Sequence, residues 1–462
     1  MSLNTLVNYI SNSQITSELI KRISKNNELN IIGSSRYAKS IIIDSIAKKE
    51  EKNILLICPN VEIAYKWIGY FESINDKAVL YYPPTEHLPY ASINKSKEIE
   101  FSQLTVLSKL IKNEKNELNI VITTERSLQP HLINKNLLIE NKLDLQKGVQ
   151  IEIQELANKL TLLGYTKDNV TSTEGFWSRR GEIIDIYPVN NEFPVRLEFF
   201  DTVIEKIREY DPHTQKTLES INNIEIIQAG FDLLIKDKLN NLSKNSIFNS
   251  EDINKNNLDR YLGIIEKEPS NIMDFINRET ILVIDELEDC KKFADNWYLD
   301  SKNNFDNCAH ELNENLKNND INLEAKPNLH LKFDEILNSL GNFNLIKLYE
   351  FESKVNIDNR FLLNDKRLNS YSKNIGKLSN DINKNIKNNE KVWILSAQPL
   401  RTRTLLFEHE CNTNFLNNPN DIDEAFKSIN NSTPLILKNK NNYEIQGFHL
   451  PIWKVVLITD KE

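Results

Sequence analysis

Leu29-Asn30-Ile31-Ile32-Gly33-Ser34-Ser35-Arg36-Tyr37-Ala38-Lys39-Ser40-Ile41-Ile42-Ile43 is the stretch from which the architecture unfolds. An apolar run from Leu29 to Ile32 ends at Gly33. Beyond a short loop, Ile42, Ile43, Ile46 and Ala47 recur at helical spacing, which reads as strand, loop, helix. The same grammar returns at once. Ile54 to Cys58 makes a short buried strand closed by Pro59, and Val61, Ala64, Ile68 and Phe71 fall on one helical face. A helix carrying Phe101, Leu104, Leu107 and Ile111 then precedes a third strand, Ile120 to Thr123. Strands alternating with helices predict a parallel sheet covered on both faces.

Near residue 150 the pattern changes. One helix (Leu156, Leu160, Leu163) is followed by extended segments from Phe176 to Tyr187, Val195 to Phe200 and Val203 to Tyr210, a small and largely antiparallel α+β insert. Parallel-strand grammar resumes at Ile281 to Ile284, Val392 to Leu395, Leu435 to Leu437 and Val455 to Ile458. The expected division is therefore an α/β domain in two parts, 1–145 and 233–350, an inserted domain at 146–232, and a small α/β domain at 351–462. Asn/Lys/Ser-rich stretches near 236–257, 300–320 and 372–390 read as solvated loops or exposed helix faces.

Composition narrows the function classes. The chain has 462 residues, more than one core usually organises, with 40% hydrophobic and 27% charged residues, the balance of a globular protein. A formal charge of -9 supplies no overall positive field for nucleic acid. The start, MSLNTLVNYI, has no basic region leading into an apolar segment, and no run reaches the length of a membrane span, so a cytoplasmic location is expected. Cys58, Cys290, Cys308 and Cys411 are scattered without a CxxC pair, and the seven histidines show no ligand spacing. Neither a disulfide framework nor a metal site is expected.

Two motifs point to nucleotide chemistry and fall short of it. Gly33 to Ser40 lies between strand and helix and nearly spells G-x-x-x-x-G-K-[ST], with Gly33, Lys39 and Ser40 in place and Ala38 where the second glycine belongs. Such a loop cradles phosphate with backbone N–H groups, and a Cβ at that position resists the close approach. Val283-Ile284-Asp285-Glu286 ends a buried strand with a pair of carboxylates, the way a magnesium-binding Asp and a water-activating Glu are presented in nucleotide hydrolases. The expectation is a degenerate nucleotide site (Gly33, Ala38, Lys39, Ser40; Asp285, Glu286) with no catalytic residue and no cofactor in this chain.

The most informative stretch is Gly175-Phe176-Trp177-Ser178-Arg179-Arg180-Gly181-Glu182-Ile183-Ile184-Asp185-Ile186-Tyr187-Pro188, followed by Pro194-Val195-Arg196-Leu197-Glu198-Phe199-Phe200-Asp201. With period two, Val195, Leu197 and Phe199 face one way, and Arg196, Glu198 and Phe200 the other. An outward Phe flanked by Arg and Glu, with Arg180 from the preceding strand, has the composition of an interface anchor inside a polar rim. An amphipathic sheet with one incidental aromatic fits the same pattern.

These residues, extended by Ile207-Arg208-Glu209-Tyr210-Asp211-Pro212-His213-Thr214-Gln215-Lys216-Thr217, closely resemble the transcription-repair coupling factor (Mfd) family and, more distantly, the excision-repair protein UvrB. Tyr82-Pro83-Pro84-Thr85-Glu86-His87-Leu88-Pro89-Tyr90, Ile281 to Glu286 and Gly447-Phe448-His449-Leu450-Pro451 add to the resemblance, which runs along nearly the whole chain. It implies a degenerate P-loop (RecA/UvrB-like) parallel sheet without ATPase capability, and an inserted domain that docks on UvrA through Arg180, Arg196 and Phe200. Ser178 is a departure, since UvrB-like sequences tend to carry Arg there. Full-length members of that family continue into an RNA-polymerase-interaction domain and ATP- and magnesium-dependent motor domains acting on double-stranded DNA, so a fragment or truncated product is expected. The implied function is recruitment of UvrA to stalled polymerase, with Arg180 and Arg196 pairing acidic groups of UvrA and Phe200 filling an apolar notch. The alternatives are a UvrB-like ATP-dependent damage-binding enzyme and a module that masks other parts of a longer parent.

Overall fold

The computed structural model describes residues 3–74, 78–93, 96–112, 119–243, 258–351, 359–366, 368–371, 374–418, 421–439 and 445–462. A seven-stranded parallel sheet forms the first unit, in the order Arg360–Leu362, Glu28–Ile32, Asn344–Tyr349, Ile281–Asp285, Ile54–Cys58, Ile120–Thr124, Val79–Tyr81. Its inner strands Ile54–Cys58, Ile120–Thr124 and Ile281–Asp285 are buried along their whole length, as a sheet covered on both faces requires. Alternation then distributes their side chains. Leu55 and Ile57 enter the apolar cluster that continues into the insert, whereas Ile54, Leu56 and Cys58 enter the cluster shared with the C-terminal unit.

The insert branches from a two-stranded stem in which Lys142–Gln146 pairs antiparallel with Asn223–Ile227. Beyond it, a six-stranded sheet runs Thr217–Ile221, Val203–Tyr210, Val195–Phe200, Ile183–Ile186, Phe176–Arg180, Thr166–Lys167, antiparallel except for the last pair. Leu156 and Leu160 of the helix Ile153–Leu162 are buried in the same cluster as Trp177, Ile184, Leu197 and Phe199.

The C-terminal unit is a five-stranded sheet in the order Asn414–Phe415, Leu435–Lys438, Lys391–Ser396, Val455–Thr459, Phe448–Leu450, parallel except for the last strand. It is joined to the N-terminal helices by two buried indole N–H donors. Trp393 donates to Thr5 Oγ1 and Trp453 to Thr16 Oγ1, each across 3.3 Å.

Two differences from the sequence expectation have local causes. The boundary at 351 is displaced, because Arg360–Leu362 pairs in parallel with Glu28–Ile32 and so closes the first sheet. The helix Val61–Ile74 buries Trp67 and Ile74 alongside Ala64 and Phe71, while Val61 at its start is exposed. Of the polar stretches, residues 300–318 lie on the long helix Leu287–Asn318 and residues 375–387 are also helical, in keeping with exposed helix faces, one of the two readings given for them. Of the stretch 236–257, residues 244–257 lie outside the described residues.

Candidate functional site

The outward face of the insert begins with its turns. Gly181, at φ +61, lets the chain reverse between Arg180 and Ile183, which pair directly across the hairpin. Asp201, at φ +57, turns the next hairpin so that Phe200 is the last residue of its strand, opposite Val203. Phe199 points into the core and is buried; Phe200 points out and is 74% exposed.

Beside Phe200 the polar side chains are committed to one another. Asp185 stands opposite Arg196 on one neighbouring strand and opposite Ser178 on the other. Although it is on the outward face, Asp185 is buried, because arginines close over it. Arg196 donates to Asp185 from Nε at 2.7 Å and from Nη2 at 2.9 Å, and Arg180 donates from Nη2 at 3.0 Å. The Arg196 guanidinium also lies 4.5 Å from the centre of the Tyr210 ring and donates to Gln215 Oε1 at 3.0 Å. Hydrogen bonding to Asp185 is the leading cause that raises the pKa of Arg196 above its ordinary value. Burial raises that of the Tyr210 hydroxyl. Arg208 pairs with Glu198 at 2.6 Å.

The structure thus brings Arg180, Arg196 and Phe200 onto one face, and it places both arginines on an internal carboxylate. Ser178, the departure noted in the sequence, is buried under Thr171, whose hydroxyl donates to the Asp185 carbonyl at 3.2 Å and lies 3.0 Å from Ser178 Oγ. Asp185, Tyr210 and Gln215 were not singled out from sequence. A signal exists for Asp185, an acid on the outward register of Ile183-Ile184-Asp185-Ile186 between arginine-bearing strands. Gln215 is presented by a turn in which Asp211 accepts from the backbone N–H groups of His213 and Thr214.

The loop at Gly33 is the second candidate. Ser35 caps the helix Arg36–Glu50, its Oγ accepting the Ala38 N–H at 3.2 Å. The Gly33 N–H donates to the Tyr349 carbonyl at 2.9 Å, and Lys39 Nζ donates to the same carbonyl at 2.9 Å. Ser40 Oγ donates to the Tyr37 carbonyl at 2.6 Å. Burial lowers the pKa of Lys39, against the opposing pull of Glu286 and Asp285. Asp285 is buried and takes Arg36 Nε at 2.7 Å and Trp67 Nε1 at 2.9 Å on one oxygen. Glu286 Oε1 accepts the Glu350 N–H at 2.6 Å, and burial raises its pKa. The groups that the sequence set out for phosphate and magnesium are therefore brought together and bonded within the chain, save Oδ1 of Asp285, which is buried without a hydrogen-bond partner. The cleft above them is lined by Gly33, Ser34, Glu350, Asp365, Lys366 and Glu462. Among the described residues, no cluster of three or more His, Cys, Asp or Glu side chains is placed to hold a metal ion, and no helix is long and apolar enough to cross a membrane.

Comparison with known proteins divides along the same lines. The family model of the UvrB interaction domain matches residues 143–230, and that of the cyanobacterial Mfd, Rossmann-like domain matches residues 367–462. The transcription-repair-coupling factor of Staphylococcus epidermidis is 28% identical over 316 residues, 62% of this chain and 26% of that protein. That of Bacillus subtilis is 28% identical over 286 residues, 56% of this chain and 24% of that protein. The chain spans about a quarter of the length of these curated relatives. With residues 143–230 matching the UvrB interaction domain and residues 367–462 matching a Rossmann-like domain of Mfd, the chain is similar to the transcription-repair-coupling factors over its matched segments.

Proposed function

We propose that this chain is a docking module of a transcription-repair coupling factor that binds UvrA through the outward face of its insert. The observation that carries the reading is Phe200, exposed at the end of its strand on the same face as arginines held in fixed orientation, within the segment matched to the UvrB interaction domain. An aromatic anchor with a guanidinium at its rim is the composition that concentrates binding energy at an interface. In a longer parent, recruitment of UvrA would serve excision repair at stalled RNA polymerase, while a separate motor would supply ATP and magnesium chemistry on double-stranded DNA. The engagement of Lys39, Ser40, Asp285 and Arg36 by the chain's own groups supports a module without nucleotide hydrolysis.

Titration of the purified chain with UvrA tests this. Phe200→Ala is expected to weaken binding by about 2 kcal/mol or more, and Arg180→Ala to weaken it as well. Unchanged affinity in both variants would remove the docking reading. Tight MgATP binding abolished by Lys39→Ala would favour a UvrB-like ATP-dependent enzyme instead.

A further inference from the structure

We infer that Asp185 is the positioning residue of the docking face: its buried carboxylate locks Arg196 in place through both oxygens and, through Oδ2, aims Arg180 at a carboxylate on the partner. The inference rests on the docking reading above and divides its arginines by role.

Arg196 has little to offer a partner. Its Nε and Nη2 are spent on Asp185, Nη2 is shared with Gln215, one face of the guanidinium rests over Tyr210, and its side chain is only 21% exposed. Arg180 is the opposite case, attached to Asp185 through Nη2 and 55% exposed. Charge counting points the same way. One carboxylate faces two guanidinium groups, and the nearby Glu198 is paired with Arg208, so the surplus positive charge falls on Arg180. Cross-strand register puts Arg180, Ile183 and Glu198 in one row, and Phe200 in the next row along the same face. A partner surface that fits has an apolar pocket for the Phe200 ring and, further across the face, a carboxylate for the free N–H groups of Arg180. Holding that guanidinium in advance reduces the side-chain entropy lost on docking. It also explains why a carboxylate occupies the centre of a face meant for an acidic partner: without Asp185 the arginines would repel and disperse.

The test is a double-mutant cycle on UvrA affinity. Asp185→Asn is expected to weaken binding about tenfold or more, the scale of one charge-assisted hydrogen bond. In an Arg180→Ala background the same substitution is expected to have little further effect, because no arginine is left to aim. A purely structural role would cost the same factor in both backgrounds. Arg196→Lys keeps the charge but not the fork, and is expected to show the same dependence on Arg180; it carries the test if Asp185→Asn does not fold. Equal losses in the two backgrounds, or unchanged or tighter binding by a folded Asp185→Asn chain, would overturn the positioning role. Phe200→Ala run in parallel separates the two failures: if it still weakens binding, the docking reading stands while the role of Asp185 falls.

Discussion

The backbone N–H of Ser34 donates to Oδ1 of Asp365 across 3.1 Å, so a carboxylate of the chain itself is seated on the loop that in sequence looks built for phosphate. Asp365 lies three residues beyond the end of the edge strand Arg360–Leu362, whose parallel pairing with Glu28–Ile32 brings it there. The bonds of Lys39 and Ser40 to carbonyl groups likewise tie the loop to acceptors of the chain itself.

MgATP is accordingly expected to leave the urea midpoint of the chain unchanged. A real site saturated at about a hundredfold over its Kd would add about 2.7 kcal/mol to stability. A rise of that size, lost in Lys39→Ala, would show that the internal partners give way to nucleotide.

Adjacent phenylalanines should separate stability from binding. Phe199 is buried among the core residues of the insert, and Phe199→Ala is expected to cost about 3–5 kcal/mol in denaturant unfolding. Phe200→Ala should change stability by less than about 0.5 kcal/mol, since its ring faces solvent. Comparable losses for the two would mean that the register of this strand differs from the one described.

Glu125 introduces a pH dependence. It follows the strand Ile120–Thr124 and is buried, with Oε2 lacking a hydrogen-bond partner, and burial pushes its pKa up to about 7. The folded state then holds a proton that the unfolded state releases near 4.5. This contribution is fully present below pH 4.5 and is lost as the pH rises towards 7, by at most about 3 kcal/mol. Glu125→Gln should flatten the stability profile across that window. An unchanged profile in unfolding experiments from pH 4 to pH 8 would assign the dependence to other groups.

Gly447 is a position where no side chain fits. A Cβ there would lie 2.5 Å from the Leu457 carbonyl oxygen and 2.7 Å from Glu462 Oε2, and the Gly447 N–H itself donates to Glu462 Oε1 at 2.9 Å. Gly447→Ala should destabilise the C-terminal unit by about 1–3 kcal/mol, seen as a lower Tm. A neutral result would mean that the backbone at Gly447 and Leu457 shifts apart at little cost.

Much of this architecture was legible because its signals are local. The buried runs at Ile54, Ile120 and Ile281 are too short and too continuous to be anything but covered strands, and the alternation in Val195 to Phe200 assigns each side chain to a face without knowledge of the neighbours. Asn344–Tyr349 was not legible: Asn344 and Lys347 interrupt its apolar pattern, and Lys347 is accommodated through its pairing with Glu28 on the adjacent strand. Arg360–Leu362 is too short to announce itself and exists only because Glu28–Ile32 presents an open edge.

By itself, then, the sequence determined the alternation of strands and helices, the inserted antiparallel sheet, the outward placement of Arg180, Arg196 and Phe200, and the defect at Ala38. These depend on periodicity and on single-residue sterics, which act within a few positions along the chain. Only the tertiary structure decided what those side chains meet. That Asp185 gathers the arginines depends on strand register, and that Asp365 fills the loop at Ser34 depends on an edge pairing between segments more than three hundred residues apart. Hydrogen bonds and ion pairs form between groups that folding brings within about 3 Å, and no local pattern encodes that meeting.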